Sequence, residues 1–119
     1  MKSYLFLFLF VLLSLFGFSQ EVLVASEDDL RKSVTSGEIL MVLPGHVTAD
    51  EVQKYSKYYT MYFTTSFNME SHEVKFSMVN NEPKARRVII RFLSAVGTKS
   101  VKVEEVSIPL SEFYEFYLR

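Results

Sequence analysis

Leu43-Pro44-Gly45-His46-Val47-Thr48-Ala49-Asp50-Glu51-Val52 is the stretch on which the fold turns. Thr48 and Glu51 stand three apart, the spacing of a capping box in which each side chain satisfies a backbone N–H of a first helical turn. Val47 and Val52 occupy the two staple positions flanking that box. Pro44-Gly45 ends whatever precedes it. The stretch predicts a strand that stops, a tight loop, and a helix that starts at Thr48.

Moving outward, Ile39-Leu40-Met41-Val42-Leu43 is an unbroken apolar run of strand length. The helix from Thr48 carries Val52, Tyr55 and Tyr59 on one side and ends near Tyr59. Thr60 to Asn68 alternates, with Met61, Phe63, Thr65 and Phe67 facing one way. His72 to Val79 alternates too, with Val74, Phe76 and Met78 inward, and Met69-Glu70-Ser71 is short enough to join the two strands as a hairpin. Pro83 fits the first turn of a second helix, where its missing N–H costs little. Ala85, Val88, Ile89, Phe92, Leu93 and Val96 give that helix a wide apolar stripe, and Gly97 ends it. Val101 to Ile108 is a last strand, irregular at Glu104-Glu105, and Pro109 stops it. Upstream, Glu21 to Ala25 is a short strand or extended arm. Ser26-Glu27-Asp28-Asp29 caps a brief helix that runs to Ser36 and stops at Gly37, with only Leu30 and Val34 as its apolar stripe.

From Glu38 to Ile108 the order is therefore β-α-β-β-α-β. It predicts an α+β, ferredoxin-like sandwich: a four-stranded antiparallel sheet with two helices on one face. Residues 20–37 form an arm or short helix before this domain (38–108), and 109–119 an aromatic tail after it. The element order, the Pro-Gly loop and the closing Gly97 resemble the heavy-metal-associated domain family. That family's loop reads Gly-Met-x-Cys-x-x-Cys. Gly45 stands at the glycine place, His46 at the methionine place, and Thr48 and Glu51 at the two cysteine places. The resemblance implies the fold, and a binding module without the soft thiolates that hold Cu(I).

The first residues read as an export signal. Lys2 is followed by an apolar run from Tyr4 to Phe18, with Gly17 and Ser19 as small residues before a cut at Gln20. Residues 1–19 are then a signal peptide, and the mature chain is periplasmic or extracellular with no stable membrane insertion after cleavage. The chain has no cysteine, so neither disulfides nor thiolate chemistry contribute. Its formal charge of −1 argues against nucleic acid as a partner. Lys84, Arg86, Arg87 and Arg91 nevertheless give the second main helix a basic outer side, a solvated face or a contact for an acidic segment.

Donors for a metal are Met41, His46, Met61, Met69, His72 and Met78. Met41, Met61 and Met78 fall on core-facing strand positions, where Met fills gaps. His46, Met69 and His72 remain as candidates for a weak carrier of copper or a similar ion, the alternative reading, although their loops are expected at opposite ends of the sheet. The carboxylate pairs Asp28/Asp29 and Asp50/Glu51 sit in first helical turns, where the dipole explains them. Glu104 and Glu105 point to opposite faces of a regular strand. No catalytic residue, cofactor site or small-hydrolase triad emerges. The first strand, however, has Leu40 and Val42 opposite Ile39, Met41 and Leu43, so both sheet faces are apolar and the open one needs a cover. Leu110, Phe113, Tyr114, Phe116 and Tyr117 are the expected cover, with Leu23 and Val24 as second choice; otherwise the face is left for an unknown protein partner. The function expected is an exported, non-catalytic binding or interaction module.

Overall fold

Alternation in the strands decides which side of the sheet is the core. Ile39 and Met41 are buried while Leu40 between them is exposed, and Val74 and Phe76 are buried on the neighbouring strand. The computed structural model describes residues 21–119; the expected signal peptide and its cut lie outside the described residues. The elements are β1 (Glu21–Val24), α1 (Glu27–Ser36), β2 (Glu38–Val42), α2 (Ala49–Ser56, continued by a 3-10 turn over Lys57–Tyr59), β3 (Phe63–Phe67) and β4 (Glu73–Met78). They continue as α3 (Pro83–Ala95), β5 (Ser100–Val103), β6 (Val106–Pro109) and α4 (Leu110–Phe113), which runs into a π-helical turn over Tyr114–Leu118.

The sheet is six-stranded and mixed, in the order β3-β4-β2-β1-β5-β6. This corrects the four-stranded antiparallel ferredoxin-like sheet. Two causes act together. The arm enters the sheet as β1, with Val22 fully buried, and separates β2 from β5. It runs parallel to β5, Val22 opposite Val101, and antiparallel to β2. The last strand is also two strands: Glu104 and Glu105 have φ of 46° and 74° and form a two-residue reversal, so Val103 pairs with Val106. Positive φ at both central residues is the signature of a type I′ hairpin, whose twist matches the strands it joins.

The helix starts follow the sequence. Thr48 and Glu51 make the capping box in both directions. Ser26 caps α1 by accepting from the Asp29 N–H, and Gly37 closes it at φ 80°, a left-handed conformation that costs glycine no Cβ clash. Pro83 opens α3. Phe63, Phe76 and Phe92 are wholly buried and meet edge to face, with centroids 5.2, 5.4 and 6.2 Å apart. Edge-to-face contact sets the positive ring edge against the negative ring face.

The tail lies elsewhere than expected. Phe113 and Leu118 are wholly buried and Tyr114 is nearly so, but they pack on the α3 side rather than over the open face. Arg86 of α3 donates from Nε to the Leu118 carbonyl at 2.5 Å and from Nη1 to Asn81 Oδ1 at 2.7 Å. The Arg87 guanidinium lies 4.7 Å from the Tyr114 ring centroid. Arg86 is therefore buried, a correction to the basic outer side. Six strands present more inner surface than α2 and α3 can cover, and the tail extends the helical layer over the added half. Met61 is also corrected: it is 82 % exposed, because the strand begins only at Phe63.

Candidate functional site: a groove beside the open sheet face

β1 pairs with β2 at one position, Leu23 opposite Val42, and then turns away into α1. A strand that leaves its neighbour early leaves a notch. The Leu43 N–H donates to the His72 carbonyl at 2.8 Å, and the Gly37 carbonyl accepts from the Met78 N–H at 2.8 Å. Residues 37 and 43 thus turn their backbone groups toward β4. By alternation, Glu38, Leu40 and Val42 turn theirs toward β1 and the notch. The Glu38 N–H is met by Ser36 Oγ at 3.2 Å.

The notch is a groove of about 720 Å³ between α1 and the open sheet face. Leu23, Leu40, Met41 and Val42 form its floor, Leu30 and Ser33 of α1 one wall, and Asp29, Lys32, Glu38, Glu73 and Lys75 its rim. Leu23 and Leu40 are 45 % and 43 % exposed. The apolar face foreseen at Leu40 and Val42 is therefore real and is not covered by the tail. Leu23, expected as a second-choice cover, is part of the floor. Chemically, the groove offers apolar contact, the backbone groups of Leu40, and charges of both signs. Its volume falls in the range of small-ligand sites.

The metal candidates are placed differently. The β2–α2 loop and the β3–β4 hairpin share one end of the sheet, as the Leu43–His72 bond shows, which corrects the expectation of opposite ends. Each half of the β-α-β unit runs the same way, so both loops follow strands pointing to that end. Proximity of loops does not gather donors. His46 Nε2 is 3.2 Å from the Val96 carbonyl and lies 3.3 Å from where a Cβ on Gly97 would stand. His72, at φ 60°, turns its ring edge-on to Phe67, and its Nδ1 is buried without a hydrogen-bond partner. Met69 is 69 % exposed. Among the described residues no group of three or more His, Cys, Asp or Glu is placed to hold a metal ion.

The carboxylate pairs do not converge either. Asp28 and Asp29 sit in the first turn of α1, Asp50 and Glu51 in that of α2. Glu104 Oε2 accepts from the Glu27 N–H at 3.2 Å, a cap for α1 from a distant turn, while Glu105 reaches Lys102 at 3.7 Å.

Sequence reasoning found the apolar floor but missed its wall. The signal was present: Ser26 caps a helix within two residues of the arm's last valine, so the helix has no room to leave the sheet. Comparison with protein-family models, curated proteins and solved structures gives no match for this chain. Among the described residues no helix is long and apolar enough to cross a membrane.

Proposed function

We propose that this protein is an exported, non-catalytic binding module whose ligand enters the groove between α1 and β2. The observation that carries the reading is the groove itself: an apolar floor of Leu23, Leu40 and Val42 left open, with a mixed-charge rim. Burial of apolar surface contributes roughly 25 cal/mol per Å², so a floor of this kind is a source of affinity once occupied. The flanking Lys32, Lys75, Asp29 and Glu73 set orientation. An extended segment suits the site, since the Leu40 backbone faces it as one edge of a ladder and β-strand addition uses such groups.

Site-specific photo-crosslinking in the compartment to which the chain is exported tests this. A benzophenone side chain at Leu40 should give one discrete adduct, and the same group at Lys99, outside the groove, should not. Leu23→Asp should abolish the adduct at Leu40. Absence of any adduct at Leu40, with the protein folded, refutes the reading.

A further inference from the structure

The two edges of the sheet are unlike. β6 has four residues, ends in Pro109, and is followed at once by α4; proline and a short strand are devices that blunt an edge. β3 has no such device. Phe63-Thr64-Thr65-Ser66-Phe67 contains no proline and no charge. It pairs with β4 alone. The Asn68 N–H donates to the Glu73 carbonyl at 2.8 Å, and the Tyr62 carbonyl accepts from the Val79 N–H at 3.0 Å. Residues 62, 64, 66 and 68 thus point their backbone groups at β4, and Phe63, Thr65 and Phe67 point theirs outward.

Several of the apolar side chains that the fold leaves bare lie at the two ends of this strand. Met61 is 82 % exposed and Met69 69 % exposed, and Tyr58, Tyr62 and Val79 are exposed beside Met61. The sequence across the edge reads Met61-x-Phe63-x-Thr65-x-Phe67-x-Met69, a palindrome of residue types about Thr65.

We propose that β3 pairs with β3 of a second copy, antiparallel and centred on Thr65. Antiparallel pairing about that residue sets Phe63 against Phe67, Thr65 against Thr65, and Met61 against Met69 of the second copy. The three outward residues of each strand then exchange backbone hydrogen bonds as directly opposed pairs. No like charges face each other along the strand. A groove of about 490 Å³ lies over β3, lined by Val52, Gln53, Lys57, Thr65, Phe67 and Met69. The partner is a second copy rather than another protein's strand because residue type and backbone direction are both self-complementary about one point.

The test is sedimentation of the full-length chain, expressed and processed by its host, over a concentration series reaching several hundred micromolar. Met61 and Met69 flank the two opposite ends of β3, so changes there meet only across the interface. Both side chains are exposed, and circular dichroism melts confirm that each variant folds. The wild-type chain is expected to dimerise. Met61→Lys with Met69→Lys sets lysine against lysine and is expected to weaken association roughly tenfold or more. Met61→Lys with Met69→Glu sets lysine against glutamate and is expected to restore it. A wild-type monomer at every concentration overturns the proposal. So does equal association of all three chains, or a Lys/Glu pair no better than Lys/Lys.

Discussion

The β3-β4-β2 half of the sheet and the β1-β5-β6 half are built on different plans. The first half is a strand, helix, hairpin and helix in unbroken chain order, and its core is the Phe63–Phe76–Phe92 cluster. The second half draws β1 from one end of the described chain and β5, β6 and the tail from the other. Its core is aliphatic, with Val22, Val101, Val103 and Ile108 under Phe113 and Leu118. Arg86 and Arg87 join the halves, since both sit on α3 and reach the tail. Short terminal pieces that look optional in sequence are thus half of the sheet.

Deleting residues 110–119 is the most severe way to break this division. Phe113 alone stands for roughly 3–5 kcal/mol and Leu118 for roughly 2–5 kcal/mol, against a total stability of roughly 5–15 kcal/mol. The truncated chain should lose its cooperative thermal transition. If the first half kept a cooperative melt, it would be an independent unit and the halves would not share one core. Phe92→Ala acts on the first half and should cost roughly 3–5 kcal/mol in denaturant unfolding. Arg86→Met cuts the join, leaving the Leu118 carbonyl without its donor; the expected loss is roughly 1–3 kcal/mol. Hydrogen exchange should then rise in the tail before it rises in β3 and β4. Thr48→Ala removes the N-cap of α2 for roughly 0.5–2 kcal/mol, with a chelator making no difference to the melt. Glu105→Gly relieves a left-handed residue in the β5–β6 turn, and a gain of about 1 kcal/mol is expected.

The first half was legible because its signals are local. The capping box at Thr48 and Glu51, the alternation through Phe63 and Phe76, and the stripe ending at Gly97 each lie within a few turns of chain. The second half depends on pairings no short window contains. Val22 meets Val101 across the sequence, and nothing in Glu21 to Ala25 says which strand it joins. Glu104-Glu105 read as an irregularity because glutamate is a poor marker for positive φ; asparagine and glycine mark such turns. Arg86 read as solvated because a guanidinium is rarely buried, and one of the two groups that satisfy it is the tail's carbonyl, 32 residues on. At the candidate site, Leu40 and Val42 were visible from strand alternation, whereas the wall of α1 depended on where β1 leaves β2.

The interior position of β1 has a consequence for how the molecule is made. Its neighbour β5 is translated 79 residues later, as the Glu21–Ser100 contact records. A strand in mid-sheet cannot be added last without opening both sides, and pairings this distant in sequence close slowly. The sheet therefore cannot be completed before Ser100–Val103 has been synthesised. Until Ser100–Val103 is available, the emerging polypeptide has no partner for one side of β1. That side of β1 stays open until β5 arrives.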